Sequence, residues 1–326
     1  MSTLHFLNVG QGDCTIIQHI SGRCSVIDIC SDNYQPEFSE VLSHVLAQKA
    51  KGNFRMCDYK TNPIMYLKRL GISSIWRFIL THPEMDHLDG FDALAENFIL
   101  CNFWDSGVRK EKPEFENCPY KEEDWVRYEK IRDGNETVNV ISVQAGSRFQ
   151  YANCNEQGES GGDGLYILAP DQQLVDQSNN NGDANDASYV VLYRSSGGKI
   201  LIPGDAHDKT WEYVLKHYKE SVENCSILIA PHHGRKSGRS YEFLDVVKPK
   251  LTFFGCAPSE NLAYDAWHYR ELPIITNNQT GNIIGECSNG HIDLYIENRS
   301  FAEKLGANVT ITNSKGYYNI GRINNT

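Results

Sequence analysis

The decapeptide THPEMDHLDG at residues 81–90 sets two histidines, a glutamate and two aspartates between His82 and Asp89, directly after the apolar run SIWRFIL. On a short connection after a buried strand, side chains two, four and five residues apart can converge on one point, which neither a straight helix nor a strand permits. Imidazole nitrogens mixed with carboxylate oxygens suit zinc, manganese or iron(II), and the lack of cysteine in the cluster argues against a soft thiolate site. The bland alternative is a solvated helix N-terminus capped by Asp86 or Asp89. That accounts for a single histidine and fails for four ligand types at this spacing.

Three other strand ends carry similar side chains. KILIPGDAH places Asp205 after an apolar strand and a tight-turn glycine, where it is either a ligand or a cap for the helix KTWEYVL. VIDIC places Asp28 in the same way, as a ligand support or a plain turn residue. ILIAPHHGRKSGRS sets His232 and His233 after a further apolar strand, with Gly234 allowing close backbone approach. Taken with the first cluster, these ends point to one edge of a sheet.

Between these motifs the chain alternates apolar strands with helices. Strands are expected over 3–9, 14–20 and 23–30, a helix over 36–51 with Pro36 at its start, and a short helix NPIMYLKRLG with Asn62 as cap. SSIWRFIL is the next strand and DGFDALAENF the next helix. Residues 108–136 are charged and contain proline, and read as a helical insertion unrelated to the chemistry. TVNVISVQAGSRFQY returns to strand character, and 177–186 reads as a polar loop. The second half repeats the first: ASYVVLYRS, KILIPGDA and CSILIAPHHG as strands, KTWEYVLKHYK as a helix. With no linker in 326 residues, one α/β domain over 1–326 built from two similar halves is expected.

Formal net charge is −11, which argues against a surface coated for long duplex nucleic acid but leaves room for a local basic patch. Ten scattered cysteines without a C-x-x-C pair read as reduced, mostly buried thiols. No apolar run has transmembrane length and the N-terminus lacks a secretory pattern, so a cytoplasmic protein with no membrane partner is expected.

In order along the chain, NVGQGD (8–13), VIDIC, THPEMDHLDG, NDASYVVL (185–192), LIPGDA and APHHG resemble the metallo-β-lactamase superfamily. Within it they resemble the ComEC-like branch, typified by the hydrolase domain of the DNA-uptake competence channel protein, whose membrane channel has no counterpart here. The resemblance runs from about residue 3 to about 298; H-x-[HDE]-x-D-H marks the superfamily, NVGQGD and HHG the branch. It implies a four-layer αββα sandwich with a metal centre at one edge of its two sheets. His82 and Glu84 would bind one ion, and Asp86 and His87 the other. Asp205 would bridge them, and His232 or His233 would complete the second. Asp86, Asp205 and His233 would then carry the catalysis, with Asp13 and Asp28 holding ligands in orientation. The sequence departs from the superfamily pattern at Glu84, which replaces a histidine, and at Asn185 and Ser188, supporting groups where a third histidine is usual. The oxygen-rich first site shifts two expected divalent ions from Zn2+ towards Mn2+.

Two such ions roughly 3.5–4 Å apart suit in-line displacement at phosphorus by a metal-bridged hydroxide. No G-x-S-x-G, phosphate-cradling glycine loop or catalytic cysteine setting competes. After the histidines, Arg235, Lys236 and Arg239 concentrate positive charge, with Ser237 and Ser240 as donors. This segment reads as a phosphate clamp or, equally, as a solvated loop. Tyr264, Trp267, His268 and Tyr269 read as core packing or as a base-stacking surface. The expectation is a metal-dependent phosphodiesterase or nuclease acting on DNA, RNA or a nucleotide. The alternatives are a nucleotide- or partner-binding module with little or no turnover, and a hydrolase of a non-phosphate ester or thioester.

Overall fold

A computed structural model describes residues 1–31, 53–147 and 163–325. The helix expected over 36–51 lies outside the described residues, as does the end of the strand stretch beyond 147. One sheet contains β1 (Ser2–Phe6), β2 (Thr15–Gln18), β3 (Cys24–Ile27), β4 (Ser74–Ile79), β5 (Ile99–Trp104) and β6 (Asn139–Ile141) in chain order. The other contains β7 (Leu165–Ala169), β8 (Val190–Ser195), β9 (Gly198–Ile202), β10 (Ile227–Ile229), β11 (Leu251–Phe254) and β12 (Ile274–Thr276). Then β13 (Ile283–Ser288), β14 (His291–Ile296) and β15 (Tyr318–Asn324) return to the first sheet beside β1.

The two halves share one topology. β1–β2–β3 and β7–β8–β9 are antiparallel meanders. β3 to β6 and β9 to β12 are parallel runs. Parallel strands need crossovers, and the helices that make them cover the outer faces.

Alternation along the strands sorts side chains into layers. Ile27, Ile79 and Trp104 from the first sheet meet Val191, Ile202, Ile229 and Phe253 from the second in the central core. Their neighbours Val26 and Phe78 point outward onto α1 (Pro63–Arg69), α2 (Phe91–Asn97) and α3 (Glu122–Arg132) through Leu67, Phe91 and Trp125. On the far side, Leu201, Leu228 and Phe254 pack on Trp211, Leu244 and Trp267. Each such fully buried side chain contributes roughly 1.5–3 kcal/mol of apolar transfer. Helix–sheet–sheet–helix layering is therefore the αββα sandwich.

Within 108–136, α3 seats Trp125, Tyr128 and Ile131 against the outer layer. The polar loop expected over 177–186 is corrected. α4 (Gln172–Asn181) runs into it, capped by the Asp171 carboxylate accepting from Leu174 N–H, and stops at Gly182 with φ of 75°. Buried Leu174, Val175 and Ser178 hold it down, so tertiary packing overrides a polar composition. Among the described residues no helix is long and apolar enough to cross a membrane.

A second correction concerns the thiols. Cys57 and Cys256 form a disulfide across 199 residues of sequence, whereas Cys14, Cys24, Cys101, Cys118, Cys225 and Cys287 are free. Nothing in local spacing signals a pair so distant; the fold brings the 56–58 turn to the end of β11. Closing so long a loop restricts the unfolded chain, so Cys57→Ser is expected to lower stability by about 2–5 kcal/mol. Urea unfolding checks this, and an unchanged midpoint would show that the crosslink contributes nothing.

Candidate metal centre

The repeated topology sets the site. Asp28 follows β3 and Asp205 follows β9, the corresponding strand of the other half. Residues 81–87 follow β4, and His232 and His233 follow the corresponding β10. Carboxyl ends of parallel strands commonly bind ligands because their loops converge there. Here the loops of two sheets converge together.

Two groups of ligand-type side chains result. His82, His87 and Asp205 form one; Asp86, His87 and His233 form the other, with the ligand atoms of each group within 4.8 Å of one another. His87 Nε2 lies 3.3 Å from Asp205 Oδ1, and His82 Nε2 lies 4.0 Å from Asp205 Oδ2. His233 Nε2 lies 3.2 Å from Asp86 Oδ2 and 3.9 Å from Asp205 Oδ2. The three imidazoles are fully buried. His82 Nε2, His87 Nε2 and Asp205 Oδ1 nevertheless have no hydrogen-bond partner of acceptable geometry. A buried polar atom left unpaired is costly, and three converging on one spot are explained by a shared cation. The donor set fits a divalent ion of the zinc–manganese type.

Other side chains hold these ligands in place. Asp28 Oδ2 lies 2.8 Å from His87 Nδ1 and accepts from Thr81 Oγ1 at 2.7 Å, while Asp28 Oδ1 accepts from Thr81 N–H at 2.8 Å. Thr81 Oγ1 is in turn 3.1 Å from His82 Nδ1. One carboxylate thus anchors His87 directly and His82 through a hydroxyl, leaving both Nε2 atoms facing the centre. His233 is held by charge rather than by a well-aligned hydrogen bond, its Nδ1 lying 3.1 Å from Asp13 Oδ1. Asp28, His232 and His233 all take left-handed backbone conformations, with φ of 56°, 55° and 56°. Such conformations in non-glycine residues cost energy and concentrate at functional sites. Asp28→Asn is expected to weaken metal affinity about 10–100-fold. Titration against a fluorescent chelator measures this, and unchanged affinity would remove Asp28 from the support.

Charge follows the same geometry. Burial alone would lower His87, but Asp28 and Asp205 outweigh it and hold the imidazole well above its usual range. His233 is likewise depressed by burial, yet Asp13 and Asp205 raise it to about 10. His82 falls to about 3, through burial and then the neighbouring His87. Burial would raise Asp205, but His233 and His87 hold it well below the carboxylate range. The carboxylates therefore draw positive charge into a dry pocket, and a cation there would displace protons from the imidazoles.

Glu84 belongs to neither group; its carboxylate pairs with Lys110 Nζ at 2.6 Å. His232, partly exposed, has Nε2 3.7 Å from Asp205 Oδ2 and stands outside both groups. Ser188 is fully buried beside the Thr81 backbone, whose carbonyl accepts from Tyr189 N–H at 2.9 Å. Ser188 Oγ and Asn185 Oδ1 make no hydrogen bond among the described residues. Arg235 donates through Nη2 to the Gln11 carbonyl at 3.0 Å, and Lys236 is exposed. Arg239 is buried and donates to the Ala206 and Asp205 carbonyls at 3.1 and 3.3 Å, so it braces the Asp205 loop. Ser237 Oγ is buried without a partner. Trp267 is core, donating to Thr252 Oγ1 at 2.8 Å, and Tyr264 stacks on Phe254. His268 and Tyr269 are exposed. Asp205 does not cap the following helix, whose cap position is His207.

Sequence reasoning missed Thr81 and Lys110. Thr81 opens the THPEMDHLDG motif, so its position was available; its role depends on Asp28, 53 residues away.

Neither a protein-family model nor a curated protein sequence matches the chain. Among solved structures, it is similar to a metallo hydrolase from the hyperthermophilic archaeon Ignicoccus hospitalis, at 11% identity and TM-score 0.48, over 87% of this chain and 99% of that one. A diphosphatase of the PhnP family is similar at 14% identity and TM-score 0.41, over 85% and 94% of the two chains. A metal-dependent hydrolase of the β-lactamase superfamily is similar at 13% identity and TM-score 0.43, over 85% and 96%. Likeness at this level concerns the course of the chain and assigns no activity.

Proposed function

We propose that this chain is a divalent-metal-dependent hydrolase of phosphodiesters, a phosphodiesterase or nuclease acting on nucleic acid or nucleotides. The carrying observation is the convergence of the buried, unpaired ligand atoms of His82, His87 and Asp205, beside a second group that shares His87. His82, His87 and Asp205 would hold one ion, Asp86, His87 or His233 the other, with Asp205 reaching towards both. Divalent ions bound there, Zn2+ or Mn2+, would acidify a water and neutralise charge at phosphorus. Asp28, Thr81 and Asp13 fix the imidazoles so that no reorganisation is needed during reaction. His232, at the rim with Nε2 near Asp205 and kept neutral by burial, would accept a proton from an attacking water. Arg235 and Lys236 contribute positive charge for a phosphate in a chain of net charge −11.

The motif order from NVGQGD to APHHG supports the ComEC-like branch and one metallo-β-lactamase-like domain over 1–326. In that domain the 108–136 segment is more than a bystander, since it brings Lys110 onto Glu84. The same pair favours the second reading, a binding module, because Lys110 competes with any cation for the Glu84 carboxylate. A hydrolysis panel separates the readings: single-stranded DNA, RNA, duplex ends, cyclic nucleotides and a thioester, each with Zn2+ or Mn2+. Metal-dependent cleavage of a diester supports the proposal. A metal-loaded chain inert on every diester, or preferring the thioester, would refute it.

A further inference from the structure

Beside the centre lies a pocket of about 310 Å³ lined by Gln11, Arg235, Lys236, Pro258 and Asn261. None of these residues belongs to either ligand group. Its volume sits at the low end of the ~300–1,000 Å³ of small-molecule sites, room for a single nucleotide-sized unit. Two cations, two side-chain amides and one proline line it, with no carboxylate. In a chain with 42 acidic and 31 basic residues, that composition is selective. Among the described residues, Lys236 Nζ has no ion-pair partner.

The lining is held rigidly. Arg235 forms an antiparallel bridge with Leu262, and Lys236 N–H donates to the Asn261 carbonyl at 2.6 Å. Ala263 N–H donates to the Gly234 carbonyl at 2.8 Å, tying the same two segments again. Arg235 Nη2 is anchored on the Gln11 carbonyl at 3.0 Å, which fixes the guanidinium plane. The pocket is also tied to the centre. Arg235 lies two residues after His233, and Gln11 two before Asp13, so their Cα atoms are at most ~7.6 Å from those partners.

We infer that this pocket is a subsite for a second phosphate, so that preferred substrates are oligonucleotides carrying at least one phosphate beyond the one that reacts. Arg and Lys would bind that phosphate by charge-assisted hydrogen bonds, and the amides of Gln11 and Asn261 and the ring of Pro258 would contact the adjoining sugar. DNA and RNA share this backbone chemistry. The inference rests on the phosphodiesterase reading.

The test measures binding, so that it stands apart from turnover. Metal-loaded protein is titrated calorimetrically with phosphorothioate-linked thymidine dinucleotides bearing a 5′-phosphate, a 3′-phosphate or neither, and with the uridine equivalents. One phosphorylated form is expected to bind about tenfold tighter than the unphosphorylated one, as a charged hydrogen bond allows. Lys236→Ala should reduce that ratio to near one, and Lys236→Glu should invert it. Lys236 is exposed, so neither change threatens the fold. Equal affinity for all forms, or a ratio that survives both substitutions, would overturn the subsite. A preserved ratio in wild-type protein that cleaves no diester would support the subsite and refute the hydrolase reading alone.

Discussion

Asp205→Asn is expected to leave the chain folded and to reduce diester hydrolysis roughly a thousandfold, the equivalent of about 4 kcal/mol of lost charge stabilisation. The substitution keeps shape and removes charge from the one carboxylate that approaches His82, His87, His232 and His233 together. Its backbone should stay in place, because Arg239 grips the Asp205 and Ala206 carbonyls whatever the side chain. Steady-state kinetics with circular dichroism as a folding control measures the effect. If Asp205 acts in the chemistry, kcat falls more than KM rises. Wild-type turnover by the folded variant would remove Asp205 from the mechanism.

Gly12→Ala is expected to be the most damaging small substitution. A Cβ at Gly12 would lie 2.0 Å from the Asp86 carbonyl oxygen and 2.6 Å from Cys30 Cβ. Neither belongs to a flexible side-chain end. Overpacking of this kind costs about 1–3 kcal/mol and occasionally more, and here relief requires moving the turn that presents Asp86 and His87. The variant should therefore lose stability and bound metal together. Denaturant unfolding and metal analysis of the same sample test this; a variant with normal stability and a full complement of ions would show that the contact is not needed. The second glycine of NVGQGD is thus explained by clearance behind a ligand loop rather than by flexibility.

What could be read from the sequence was whatever is contiguous. THPEMDHLDG carries its ligand types within a few residues, and apolar runs such as SIWRFIL and KILI announce strands buried on both faces. The correspondence of the halves was also visible, in Asp28 and Asp205 after one pair of strands and the histidines after the next. Pairings between distant residues were not. Glu84 looks like a ligand until Lys110, 26 residues on, takes its carboxylate. Arg239 looks like part of a phosphate clamp until it is seen buried on the Asp205 backbone. Between His232 and His233 the motif leaned only slightly to His233; the turn after β10 buries His233 among Asp13, Asp86 and Asp205 and leaves His232 at the rim. The Cys57–Cys256 link and the packing that makes α4 helical depend on three-dimensional neighbours in the same way.

Anomalous diffraction from crystals grown with Mn2+ or Zn2+ tests the central claim most directly. The prediction is strong peaks at about 2.0–2.3 Å from His82 Nε2, His87 Nε2 or His233 Nε2, each shared with an Asp205 or Asp86 oxygen. Crystals of diester-hydrolysing protein with no ion at these side chains, or with ions bound only elsewhere, would contradict it.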